Sequence, residues 1–283
     1  FNSMNRFNVT LISLCACLFA MPVCADVLDE GDQFPVFDAH IHYNKDVWDV
    51  ISPKDAIRRL REGGISRAMI SSTSDDGTRS LYLADPSFVV PSLRPYRKSG
   101  DREGWMHDES LVSYLEERLK TFKYVAIGEF HLNGGEAKAP VMREVIRLAS
   151  EYKLVLHVHS DAEAVRMIYE QYPGARVLWA HAGFEGADVV RGLMEKHTEL
   201  MADLSFRQEI FQNGRFLPGW KDLLNEHADR FMLGVDTYTP QRWLQIDNVM
   251  KWQQGLLEAL PEEVAGKIAY ANSKWLTRRL DTD

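Results

Sequence analysis

The sequence has three cysteines, and all of them (Cys15, Cys17 and Cys24) fall within its first 24 residues. Beyond Cys24 there is no thiol, so neither a disulfide framework nor a thiolate metal site is available there. Long apolar runs are missing too. The uncharged stretch from Val9 to Val23 spans about 15 residues and contains Pro22, short of the ~20 needed to cross a bilayer. No GxGxxG follows the first apolar run, which counts against the dinucleotide-binding form of an α/β sheet. Basic runs are absent, and 41 acidic residues outnumber 33 basic ones. Nonspecific binding to nucleic acid or to an anionic membrane is therefore disfavoured.

The N-terminus reads as a targeting segment. Phe1-Asn2-Ser3 precede Met4 and read as an expression scar or an extended reading frame. Arg6, an apolar stretch and Val23-Cys24-Ala25 follow, and the small residues at the last positions suit signal peptidase cleavage after Ala25. This predicts a leader over 1–25, a single domain over 26–283, a periplasmic or secreted location and no stable membrane anchor. A lipoprotein reading through Leu14-Cys15-Ala16-Cys17 leaves a very short leader. Losing Arg6 with the leader takes the formal net charge from −8 to −9.

The rest of the chain alternates short β-branched runs with longer amphipathic stretches. Strands are predicted over 36–42, 65–71, 88–93, 125–129, 154–159, 177–181, 200–204 and 231–236. Helices are predicted over 53–62, 110–121, 141–152, 162–172, 188–197 and 220–227, with 243–260 and 262–280 after the last strand. Ser52 and Pro53 are placed as N-cap and first residue of the first helix, and Gly63-Gly64 ends it. Repeated strand–helix units imply parallel strands with right-handed crossovers. Eight of them in about 250 residues fit an α/β fold of the (β/α)8 TIM-barrel type with an extra C-terminal helix; an open doubly wound sheet is the alternative. The segment 75–108 reads as long and irregular around the third strand, with the polar stretch 97–108 as a lid.

The histidines carry the functional signal. Five of the nine lie in or at the end of predicted strands: His40, His42, His157, His159 and His181. Barrel active sites are built at those strand ends. In Asp38-Ala39-His40-Ile41-His42 the strand period of two puts Asp38, His40 and His42 on one face, so two imidazoles can meet one ion. With no thiolate available, ligands must be imidazole and carboxylate, which suit zinc above all, with manganese, iron or nickel as alternatives. Asp38 is placed to orient a ligand histidine through its other ring nitrogen.

The order DAHIH, IGE, HVHSDA, WAHAG and FMLGVD, closed by KIAYANSKWL at 267–276, resembles the amidohydrolase superfamily. It is most similar to the branch of small amidohydrolases and decarboxylase-like enzymes, with some similarity to TatD-type deoxyribonucleases, and the resemblance runs from about Phe34 to Leu276. It implies that His40, His42 and Asp236 bind the more buried of one or two divalent ions. It also implies that Asp236 transfers protons. His159 and His181 would bind a second ion, or one of them would polarise substrate. Glu129 stands where relatives place a bridging carboxylate or a carboxylated lysine, and no lysine is present there. On the fifth strand His159, next to the Ser160-Asp161 helix start, is preferred as ligand, which leaves His157 behind the ligands.

Arg94 and Arg207 follow the third and seventh strands and are read as grips for an anionic substrate group. His131 and Tyr238 are candidate substrate contacts. The leading reading is a metal-dependent hydrolase for an amide, ester or lactone bond in a small carboxylate-bearing molecule, with no nucleic acid partner and with homodimerisation known among relatives. Phosphoesterase and non-oxidative decarboxylase are the alternatives within enzymes, and a ligand-binding protein is the alternative outside them. If the leader is removed as the spacing predicts, the exported protein starts at Asp26 and has no thiol. Intact mass and a thiol-reactive dye test this, and a reactive cysteine in the exported form would refute the cleavage.

Overall fold

The computed structural model describes residues 33–278; the leader read into residues 1–25 lies outside them. Eight parallel strands form one sheet. β1 (Val36–Ile41), β2 (Ile65–Ile70), β3 (Val89–Leu93), β4 (Ala126–His131), β5 (Val155–His159), β6 (Arg176–Trp179) and β7 (Leu200–Asp203) pair in chain order. A small antiparallel pair follows, β8 (Phe211–Gln212) with β9 (Arg215–Phe216), and then β10 (Phe231–Met232) pairs with β7. The ring closes through a parallel bridge between Asp38 and Leu233, where Ala39 N–H donates to Leu233 O at 2.9 Å. The fold is the (β/α)8 barrel that the alternation predicts.

Local sequence explains the helices. α1 (Lys45–Trp48) is a single turn after β1. In α2 (Pro53–Glu62) Ser52 Oγ accepts from Asp55 N–H at 3.2 Å, and Ala56, Ile57 and Leu60 form the buried stripe. In α4 (Ser110–Thr121) the stripe is Leu111, Leu115 and Leu119. α5 (Pro140–Glu151), α6 (Ala162–Gln171), α7 (Ala187–Lys196) and α8 (Trp220–Glu226) follow the same rule. These stripes and the outward strand residues make one core layer. A second cluster, with Phe37, Ala39, Met69, Val90, Val155, Leu178, Met201 and Met232, includes Leu276 from the C-terminal segment. That segment therefore plugs the N-terminal end of the barrel and leaves the opposite end to the loops.

Three expectations are corrected. The segment 75–108 is not irregular throughout, because it begins with α3 (Asp76–Ala84). Its second residue, Gly77, reads as a helix breaker, yet a Cβ there would stand 2.2 Å from Tyr43 O, so the glycine serves close packing. The helix expected over 243–260 begins only at Ile246, as α10 (Ile246–Glu258), where an interruption separates it from the short α9 (Pro240–Trp243), and Arg242 in α9 donates to Gln245 Oε1 between them at 3.0 Å. The helix expected over 262–280 is α11 (Glu262–Gly266), a π turn at Lys267–Ala271 and α12 (Ser273–Thr277).

Asn272 explains the second interruption. Its Nδ2 donates to Ala228 O and Phe231 O, both at 2.8 Å, and so ties the closing segment to the strand that shuts the barrel. Asn272→Ala leaves two buried carbonyls without a donor and is expected to cost about 1–3 kcal/mol. Urea unfolding measures this; an unchanged midpoint would show that the tie contributes nothing.

Candidate metal centre

The strands end in short runs of unusual backbone. His181, Ala182, Gly183 and Phe184 after β6 all have positive φ, as do Phe206 after β7 and Asp236 after β10. Bulky side chains rarely adopt that conformation outside functional sites. It also explains why β6 stops earlier than the apolar pattern predicts: the chain leaves the ladder at His181 to turn its side chain inward. On β4 the register shifts between Gly128 and Phe130, so Glu129 sits on a bulge. A Cβ on Gly128 would lie 2.1 Å from His157 O. Gly234 is similarly constrained, 2.8 Å from His40 Cβ, and lets β10 close against β1 beside the ligands.

These devices bring His40, His42, Glu129, His159, His181 and Asp236 together. His40 Nε2 and His42 Nε2 are 3.1 Å apart. Glu129 Oε2 lies 3.1 Å from His42 Nε2 and 3.5 Å from His40 Nε2, and Asp236 Oδ1 lies 3.4 and 3.7 Å from the same atoms. On the other side, Glu129 Oε1 lies 2.9 Å from His159 Nδ1 and 3.7 Å from His181 Nε2, and those two nitrogens are 3.2 Å apart. Asp236 Oδ2 is 3.8 Å from His181 Nε2. Glu129 thus faces one donor pair with each oxygen.

Hydrogen bonds on the far sides of the rings fix what the rings offer the centre. His42 Nδ1 donates to Ser71 O at 2.6 Å and His181 Nδ1 to Ser205 O at 2.9 Å, and a carbonyl can only accept. His40 Nδ1 donates to Asp203 Oδ2 at 3.2 Å. Each Nε2 therefore points a lone pair at its neighbours and at carboxylate oxygens. Asp236 Oδ1 is buried and has no hydrogen-bond partner among the described residues. Such a set repels itself unless a cation stands in it. Zinc ligands at about 2.0–2.2 Å in a tetrahedral array stand about 3.3–3.6 Å apart, close to the spacings here. The residues fit one ion at His40, His42, Glu129 and Asp236, and a second at Glu129, His159 and His181.

The electrostatics agree. Burial opposes charge on His40, yet Asp236, Asp203 and Glu129 push its imidazole well above the usual range. Burial would likewise raise Glu129, but His131, His40 and the bond from His159 hold its carboxyl well below the usual range. The centre keeps Glu129 ionised and draws positive charge toward His40.

The remaining predicted residues have mixed placements. His157 stands behind His40: its Nε2 is 3.2 Å from Asp203 Oδ2, its ring meets His40 edge-on, and burial lowers its pKa to about 4. Asp38 does not orient a ring. Phe37 and Ala39 belong to the interior cluster, and a register shift between Asp38 and Ile41 breaks the alternation. Asp38 instead accepts from His40 N–H at 2.8 Å and Val235 N–H at 3.0 Å. The orienting role falls to Asp203, which sequence reading missed. Its carboxylate takes His40, His157, Ser205 Oγ and the backbone N–H groups of His181 and Ser205. The available signal was a carboxylate at the end of an otherwise apolar strand.

Arg94 and Arg207 do not present free guanidinium groups. Arg94 Nη2 donates to Glu129 Oε2 at 2.9 Å and its Nε to Glu129 O at 3.1 Å. Arg207 clamps the left-handed run after β6, donating to His181 O at 2.9 Å and Glu185 O at 3.0 Å, with Glu209 on its Nε. Arg94, His131 and Tyr238 line the cavity above the centre, which has a volume of about 810 Å³. Phe184 and Phe206 share that lining, and so do Lys98 and Arg102 from the polar stretch after β3. Among the described residues neither Lys98 nor Arg102 forms an ion pair.

No family model matches the sequence, and no curated protein does. Solved structures do match. An uncharacterised TIM-barrel protein from Bordetella bronchiseptica superposes with a TM-score of 0.58 at 12% identity, covering 87% of this chain and 99% of its own. A probable 2-pyrone-4,6-dicarboxylic acid hydrolase from Acinetobacter baumannii, with citric acid bound, gives 0.58 at 12%, covering 86% and 98%. A TatD-family hydrolase from Entamoeba histolytica gives 0.56 at 13%, covering 87% and 99%. At these identities the likeness is one of fold.

Asp203→Asn keeps the shape of the side chain but weakens its hold on His40. Metal affinity is expected to fall about 10–100-fold, as for other groups that orient metal-binding histidines. Competition with a chromophoric chelator measures it; unchanged affinity would remove Asp203 from the centre.

Proposed function

We propose that this protein is a metal-dependent hydrolase of the amidohydrolase type, acting on an amide, ester or lactone bond of a small carboxylate-bearing molecule. The observation that carries this is Asp236: a buried carboxylate oxygen without a hydrogen-bond donor among the described residues, facing two imidazole lone pairs, beside a cavity. His40, His42, Glu129 and Asp236 would hold one divalent ion and Glu129, His159 and His181 the other, with zinc the best fit to the donors. Such an ion lowers the pKa of water to about 7 and polarises a carbonyl or phosphoryl oxygen.

The chain supplies the rest. Asp236 Oδ2 accepts a proton from the attacking water and returns it to the leaving group. His181 is kept in one tautomer by Ser205 O and in one place by the Arg207 clamp. Phe184, Phe206 and Tyr238 form an apolar wall, and Lys98 and Arg102 add positive charge to that of Arg94 in the cavity lining. The volume suits a small molecule. Two of the structural neighbours carry hydrolase names, which supports the reaction class. Cleavage after Ala25 would place this chemistry outside the cytoplasm.

Elemental mass spectrometry on protein purified without chelator tests the centre. Near two equivalents of metal are expected, falling toward one in Glu129→Ala; near zero after growth with added metal would end the reading. Asp236→Asn is expected to lower kcat about 10²–10⁴-fold, the range of a lost general base, on whichever of a panel of lactones, esters, amides and phosphoesters is turned over. Carbon dioxide release without hydrolysis would instead favour a decarboxylase.

A further inference from the structure

His131 is gripped unusually firmly for a residue just past a strand bulge. Its backbone N–H donates to Tyr96 Oη at 2.8 Å, its carbonyl accepts from Trp105 Nε1 at 2.7 Å, and its ring Nδ1 is 3.1 Å from the same Tyr96 Oη. Both clamping residues come from the long segment after β3 and are almost fully buried. The ring is stacked on His159, centroids 4.3 Å apart, and reaches the cavity. Glu129, His131 and His159 are close enough together to suggest a further ligand group.

The hydrogen-bond arithmetic speaks against that ligand role. Tyr96 Oη has one hydrogen and already accepts from the backbone of His131. Among the described residues its hydrogen has one acceptor in reach, His131 Nδ1. Leaving a buried hydroxyl hydrogen unused is costly, so Nδ1 accepts and the ring proton sits on Nε2. That N–H has no acceptor within hydrogen-bond distance among the described residues, since Glu129 Oε1 is 3.8 Å away. The side chain keeps 24% of its exposure, toward the cavity.

We propose that Tyr96 locks His131 as an Nε2–H donor, and that this donor stabilises the oxyanion formed on the substrate beside the ligand cluster. His131 is then a catalytic residue and not a metal ligand, and Tyr96 is a positioning residue. The identity of the oxyanion rests on the hydrolase reading; the donor state of the ring does not.

The test uses His131→Phe, which keeps a ring against His159, and Tyr96→Phe, which removes only the hydroxyl. Long-range proton–nitrogen NMR on the wild type, with the His131 signal identified by its loss in His131→Phe, should show the Nε2-protonated form. Tyr96→Phe should shift it toward the other tautomer. Metal content should be unchanged in both variants. Methylphosphonate, an oxyanion mimic, should bind the metal-loaded wild type and lose about 10–100-fold in Kd in His131→Phe, the range for one hydrogen bond to a charged group. Tyr96→Phe should lose part of that. A wild-type ring protonated on Nδ1, metal lost from His131→Phe, or methylphosphonate that fails to bind or binds both proteins equally would each overturn the proposal. Metal content of the wild type, measured on the same samples, reports separately on the hydrolase reading.

Discussion

The structure is organised around a cluster of lone pairs that the buried Arg94, bound to Glu129 Oε2, compensates only in part. Three imidazoles turn Nε2 toward one another and toward Glu129 and Asp236, and all five side chains are almost fully buried. In a protein interior such a set is unfavourable by several kcal/mol unless a cation or extra protons enter it. The upward push on His40 is the same demand expressed as proton affinity. The surrounding architecture keeps the cluster from relaxing. Ser71 O, Ser205 O and Asp203 hold the ring protons of His42, His181 and His40 on the outer side, so none of these three imidazoles can satisfy the carboxylates by turning over.

The barrel makes this affordable in stability by confining it to one end. The interior cluster from Phe37 to Met232 and the plug at Leu276 supply apolar burial at the other end, at roughly 25 cal/mol per Å². At the mouth, buried arginines satisfy the carbonyls that the strand ends release. Arg207 holds His181 O and Glu185 O, Arg242 holds Val235 O and Asp236 O, and Arg94 holds Glu129 O. Each guanidinium thereby fixes a turn that carries a candidate ligand. Bidentate geometry suits arginine to this tying role as well as it suits anion binding. A sequence reading of Arg94 and Arg207 as substrate grips does not show this tying role, because position after a strand does not say which way the fork points.

How much was legible follows the same division. Strand existence, the order of eight and the boundaries of α2 and α4 came through, because periodicity and capping are local signals. So did the convergence of the six histidine and carboxylate side chains, because residues at strand ends need only the strand's register to meet. Asp38 was misassigned since a bulge in β1 broke the period-two alternation, and bulges leave little trace in sequence. Asp203 was passed over as one acidic residue in a strand, although it contacts more of the centre than Asp38 does. α3 was hidden by Gly77, whose reason is a tertiary contact with Tyr43 O.

The sequence by itself determined the chemistry on offer: imidazoles and carboxylates at strand ends, no thiolates beyond Cys24, and an alternation that closes into a barrel. Tertiary structure decided the assignment of roles. It divided the two oxygens of Glu129 between two donor pairs, turned the arginines inward and placed Tyr96 against His131. The reason is physical. Ligand identity is a property of single residues, whereas proton position and charge pairing depend on which groups from distant segments meet within about 3 Å, and only the folded chain fixes that.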